Sequence, residues 1–273
     1  MHNRRRALIR MSAAAAGIAA PALTPAVQRR SLDDPFRLAV DLALADSGLA
    51  GRLQRGFGRD TGVAISVWPG PARELLAALE RGEHDGALLN TPRAEEELDR
   101  LGLLRDRRQI ATADFLIVGP TLLRAGIDAM HARALAAQAL SGLAQAGAPF
   151  VGATEGSGTR ELEALLWRTA QVAPQAPWYR PSSPGQGALA AARAGLACAL
   201  VERGVWDATA RTVRPGKDFG VLVEGDPLLR VPVHAMRSFR ADHPAGRLFM
   251  KWLSSRTGRQ AIAALPAYRP VSP

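Results

Sequence analysis

APFVGATEGSGTRELEALLWRTA, residues 148–170, reads as a short apolar strand, a turn of small residues and a helix. The turn, Glu155-Gly156-Ser157-Gly158-Thr159, brings two hydroxyls and free backbone N–H groups to a helix start. Unpaired donors and the positive end of the helix dipole make such a start receptive to an anion. Plain N-capping by Ser157 or Thr159, with Glu161 in the first turn, accounts for the same residues, so both readings stand.

Working outward, the same strand–helix logic repeats. Residues 36–45 (FRLAVDLALA) have strand-like spacing, and 47–62 read as an amphipathic helix running into a turn. A second strand is expected at 63–68 and a helix at 71–82, with Pro at its start and Gly at its end. GALLN (86–90) is a buried-strand candidate, 92–102 a helix and DFLIVGP (114–120) a continuous apolar strand. Beyond the central segment, helices are expected at 134–147 and 187–195, an extended stretch at 222–237 and helices at the C-terminal end. This alternation predicts an α/β fold built on parallel sheets. The length of 273 residues suits two modest lobes, with ligand at the sheet ends and helix starts.

The formal charge of +10 is inflated by the chain's beginning. Taking Arg4, Arg5, Arg6 and Arg10 from the 35 basic residues leaves 31 against 25 acidic ones, a balance of +6. Arginines are interspersed with acids, as in DRLGLLRDRRQ (99–109), and no aromatic-interleaved basic stripe appears, which argues for a solvated charged surface and against nucleic-acid binding. Cys198, the single cysteine, excludes an internal disulfide and sits in an apolar run as a small hydrophobe. GQGALA (185–190) matches a dinucleotide fingerprint only superficially, because a Pro/Ser-rich loop precedes it instead of a strand; it is better read as a helix start open to a cleft. The five histidines are dispersed, Ser157 lacks a nucleophile elbow because Glu155 stands where its first glycine belongs, and Glu224 and Asp226 read as turn-formers. No enzyme, cofactor or metal site is expected.

Residues 1–26 read as an address. A basic front (RRRALIR, 4–10) precedes a small apolar run too short to span a bilayer, with small-residue cleavage sites at 20–22 and 24–26. Arg5-Arg6 followed by apolar residues and Arg10 resembles the twin-arginine export pattern, and a generic secretory signal is the alternative. Either route places the mature chain outside the cytoplasm. With no lipid-attachment cysteine near the signal, a soluble mature protein is expected.

Several segments together resemble the extracytoplasmic tungstate-binding proteins of ABC importers: ADSGL (45–49), LLNTPRAEEELDRLG (88–102), DFLIVGP, AGAPFVGATEGSGTRELE (146–163), PWY (177–179), GQG (185–187) and LVEGDPLL (222–229). Their order and spacing agree over residues 36–265. The resemblance implies a two-lobed type II periplasmic-binding-protein fold, each lobe a mostly parallel sheet flanked by helices. It implies an export signal at 1–26, a linker at 27–35, one lobe from 36–118 with 224–273, and a second from 119–223. An ABC permease partner, a tungstate or molybdate ligand and a monomeric state follow from it. The pocket departs from the family pattern. Where relatives carry a Thr-Thr-Thr-Ser-Thr run, this chain has Val40-Asp41-Leu42-Ala43-Leu44, and a family arginine is replaced by Ala153. A Gly-Thr-Gly turn corresponds to Pro71-Ala72-Arg73. The implied ligand set is therefore Ser157, Gly158 and Thr159, the turn Gly185, Gln186 and Gly187, and Arg73 and Asp41. Weakened oxyanion binding is expected, with Arg73 as a partial replacement. The alternative is a divergent periplasmic sensor or scaffold that no longer binds oxyanions.

Overall fold

The computed structural model describes residues 30–123, 135–182, 185–212 and 218–272. The expected export signal, most of the linker and the Ser183-Pro184 stretch before the GQG turn lie outside the described residues. Two sheets share one long strand. The first sheet has the order β2 (Ile65–Gly70), β1 (Phe36–Asp41), β3 (Gly86–Leu89), β9 (Arg230–Ser238), β4 (Leu104–Pro120), β10 (Tyr268–Pro270). β1 runs parallel to β2 and β3, while β9 is antiparallel to both β3 and β4. The last six residues of β4 leave that sheet and pair with β7 (Ala199–Glu202) and β8 (Phe219–Val223). β5 (Phe150–Gly152) completes the second sheet by running parallel to β6 (Tyr179–Pro181) and bridging to Cys198 beside β7. The expected parallel cores are thus β2-β1-β3 and β6-β5-β7, joined by antiparallel partners of β4.

Helices cover both sheets. In the first lobe they are α1 (Leu42–Asp46), α2 (Leu49–Thr61), α3 (Ala72–Arg81) and α4 (Pro92–Arg100). The second lobe contributes α5 (Ala136–Gln145), α6 (Gly158–Thr169), α7 (Ala188–Gly195) and α8 (Arg203–Thr212), and α9 (Ala245–Ser254) and α10 (Arg256–Ala263) return to the first. α2 shows why these segments fold as they do. Leu49, Leu53 and Phe57 recur at helical spacing and are fully buried, and the helix stops at Gly62, whose φ of 76° suits the left-handed cap. Phe57 meets Phe249 edge-on at 5.2 Å, and Phe249 also packs on Phe36, so one aromatic cluster ties α2, α9 and β1 together. No helix among the described residues is long and apolar enough to cross a membrane.

Two expectations are corrected. The strand expected over 36–45 ends at Asp41, because Asp41 caps a short helix beginning at Leu42. The charged run at 104–109 is also strand: it forms the first part of β4 against β9, with bulges at Arg105/Arg108 and Gln109/Ala111 that break the alternation. Asp226 is the turn-former expected, accepting from the Leu228 N–H at 2.8 Å and from the first N–H of α5 at 2.6 Å.

The second lobe is held by a buried carboxylate. Glu163, on α6 and fully buried, accepts from the Ala153 N–H at 2.7 Å, the Tyr179 hydroxyl at 2.7 Å, Trp167 Nε1 at 3.1 Å and the Arg160 guanidinium at 2.7 Å. Four donors from α6, β6 and the strand-to-turn junction thus converge on one side chain, and burial is compensated by charge-assisted bonds. Glu163→Ala strands these donors and should cost about 3 kcal/mol. Urea unfolding that leaves the midpoint unchanged would contradict this role.

Candidate functional site

The C-terminal ends of β1 and β3 lie where an α/β sheet presents ligands. Asp41 ends β1, is fully buried, and its carboxylate lies between the lobes. Its Oδ1 accepts from the Ala43 N–H at 3.2 Å, the ordinary N-cap bond of the short α1. Its Oδ2 accepts from the Gly158 N–H at 2.9 Å, the first amide of α6 in the opposite lobe. The Ala72 N–H, the first amide of α3, faces this carboxylate closely enough to favour its charged form. Two helix starts from opposite lobes therefore point their orphan donors at one negative charge.

The lobes touch around this point. The Arg73 N–H donates to Gly156 O at 2.9 Å, and the Arg93 N–H donates to Glu161 Oε1 at 3.2 Å. Asn90, directly after β3, is almost fully buried, and neither its side-chain Nδ2 nor its Oδ1 has a hydrogen-bond partner among the described residues. It lies so close to Gly158 that a Cβ built there would come within 1.8 Å of Asn90 Oδ1 and 3.0 Å of the Asn90 carbonyl oxygen. Glycine at 158 is what permits this approach.

The expected ligand residues divide into those that meet and those that do not. Asp41 and Gly158 are in direct contact, and Ser157 adjoins them as the cap of α6. The Ser157 hydroxyl donates to Thr154 O at 2.7 Å and accepts from the Arg160 N–H at 3.2 Å, so the capping role holds. Thr159 is buried in the first turn of α6, and its hydroxyl has no hydrogen bond among the described residues. Arg73 reaches the cluster through its backbone, while its side chain is exposed and forms no hydrogen bond among the described residues. Gly185, Gln186 and Gly187 precede α7, are exposed, and form no hydrogen bond with the Asp41 cluster among the described residues. Asn90 escaped the sequence reading; its only sequence signal was a polar residue closing an otherwise apolar strand.

Acidity dominates the interior. Burial pushes the Asp41 carboxyl up to about 6, although the bonds from Gly158, Ala43 and Ala72 pull the other way. Behind it Glu202, at the end of β7, is fully buried and accepts from the Tyr268 hydroxyl, whose oxygen also lies 2.6 Å from Ser47 Oγ. Its Oε2 has no partner, and burial together with Asp41 and Asp46 pushes its carboxyl up to about 8. No group of three or more potential metal ligands forms among the described residues. Cys198 is buried beside Gly119, and burial pushes its thiol up to about 12, as a packing residue requires.

This architecture, two α/β lobes hinged on a shared strand with helix starts facing each other across the junction, is that of type II periplasmic-binding-protein-like solute receptors. The chain is similar to a Haloferax volcanii protein that carries the name of an ABC transporter anion-binding protein, 28% identical over 83% of this chain and 67% of the other. It is also 24% identical to the tungstate-binding protein TupA of Peptoclostridium acidaminophilum, over 86% of this chain and 83% of that protein. The solved tungstate ABC transporter structure from Geobacter sulfurreducens superposes with a TM-score of 0.73 at 25% identity, over 85% of this chain and 98% of that one. No protein-family model matches the chain.

Glu202 sets a pH signature. Its folded-state value is raised above that of the unfolded chain, so its stabilising share is complete in acid and is lost as pH rises through about 8. We expect the melting temperature to fall between pH 6 and 8 and to level off above, and Glu202→Gln to flatten that fall. Parallel profiles for the two proteins would show that Glu202 is not the group responsible.

Proposed function

We propose that the chain is the extracytoplasmic solute-binding component of an ABC importer of the tungstate and anion type, with oxyanion affinity below that of its relatives. The observation that carries this reading is the convergence of the α3 and α6 starts, from opposite lobes, on one buried negative charge at Asp41. An anion held there would join the lobes, as ligand closes a hinged receptor. The ligand-facing set on this reading is Asp41, Ser157, Gly158 and Thr159, with Arg73 at the rim and the Gly185, Gln186 and Gly187 turn on the second lobe. Residues 36–118 with 224–273 form one lobe and 119–223 the other. Export through residues 1–26 by the twin-arginine route, action as a monomer and delivery to a permease belong to the same proposal. The role is binding and release, with no catalytic step.

Affinity is where the chain departs from its relatives. Each charge-assisted hydrogen bond to an anion contributes about 1.5–3 kcal/mol. An aliphatic Val40-Asp41-Leu42-Ala43-Leu44 segment and Ala153 offer no side-chain donor, so several such bonds are missing. Losing about 4 kcal/mol weakens binding roughly a thousandfold.

Calorimetric titration of the mature chain with tungstate, molybdate and sulfate tests this. We expect tungstate or molybdate to bind in preference to sulfate, with a dissociation constant that is micromolar or weaker. Nanomolar binding would contradict the loss of affinity. No heat from any of the three at millimolar concentration would contradict the anion reading itself.

A further inference from the structure

We propose that Asp41 is a tethered ligand: its carboxylate occupies the anion position of this chain's own cleft and latches the two lobes together without any solute. The proposal rests on the anion-receptor reading above and adds a specific occupant.

The geometry supports it from three directions. The carboxylate is on the first lobe, at the end of β1, yet Oδ2 takes the first amide of α6 on the second lobe at 2.9 Å. The Ala72 amide of α3 faces the same group and favours its charge, so the carboxylate stands where an external anion would meet both helix starts. The residues around it are fitted to the closed arrangement: Gly158 has no room for a side chain against Asn90, and Arg73 and Gly156 are hydrogen-bonded across the gap. A partnerless buried amide at Asn90, abutting Gly158, marks the same spot as built for a polar group beyond the carboxylate. No basic side chain reaches Asp41 among the described residues, so backbone amides alone hold it there.

A tethered anion competes at high effective concentration, and an external one binds only in the fraction of molecules whose latch is open. Asp41 is therefore a specificity-determining residue. It excludes weakly bound oxyanions by occupancy, and charge repulsion adds to that.

The experiment uses the full mature chain and two variants, Asp41→Ala and Asp41→Asn, with small-angle scattering and titration at pH 7.5. Wild type without ligand is expected to be compact and insensitive to acetate. Asp41→Ala should have a larger radius of gyration and return to the compact value with acetate, which replaces the missing carboxylate. Tungstate should bind it at least ~100-fold more tightly than wild type. Asp41→Asn keeps the shape but not the charge, so it should open as well, and it guards against a folding defect in the alanine variant. Folded variants as compact as wild type, with no gain in anion affinity, would overturn the latch. Opening with acetate rescue, but without tungstate binding, would leave the latch standing and remove the oxyanion reading instead.

Discussion

One carboxylate, accepting backbone N–H groups from both halves of the molecule, organises the middle of this structure. Asp41 terminates β1, the middle strand of the parallel β2-β1-β3 unit, caps the helix that follows it and takes the leading amide of α6 from across the cleft. Each of those amides is an orphan donor that a helix start must satisfy somewhere. A free anion can satisfy them from solution; here a covalently attached one does. The closeness of Gly158 to Asn90 and the backbone bond between Arg73 and Gly156 describe lobes brought together around that charge.

The shared strand makes such an arrangement possible. β4 pairs with β9 and β10 in one lobe and with β7 and β8 in the other, so the lobes are joined by continuous backbone and can hinge where the pairing changes. At that change Phe115 faces Glu202 across the ladder, and Glu202 meets Tyr268 of the first lobe, which in turn meets Ser47. Two buried acids, Asp41 and Glu202, therefore lie on the junction with no ion pair to a basic side chain among the described residues, and burial pushes both carboxyls up. A protein selected only for stability would gain by replacing them.

Much of this was legible in the chain, and the gaps have physical causes. The amphipathic pattern located α2 and the Pro-to-Gly span located α3 to within a few residues, and both bury an apolar stripe. The small-residue turn at Glu155–Thr159 marked the start of α6, and the structure uses it as a helix start facing the other lobe. The first part of β4 was hidden because its bulges interrupt the alternation and Arg105, Asp106, Arg108 and Gln109 lie on its open side. β6 and β10 are three residues each and carry no period at all. In the site, Asp41 could be singled out as an intruding acid, but the sign of its effect could not be read. In the sequence it marks only a lost donor, whereas the fold gives it an amide partner 117 residues away. Asn90 was invisible for the same reason, since its significance lies wholly in its approach to Gly158.

The most direct test is amide hydrogen exchange across residues 156–159 in the ligand-free mature protein. A closed cleft bridged by Asp41 predicts that the Gly158 amide exchanges slowly, on the timescale of the core strands. Exchange as fast as that of the exposed Gly185–Gly187 turn would mean the bridge does not persist in solution, and the central claim would fall.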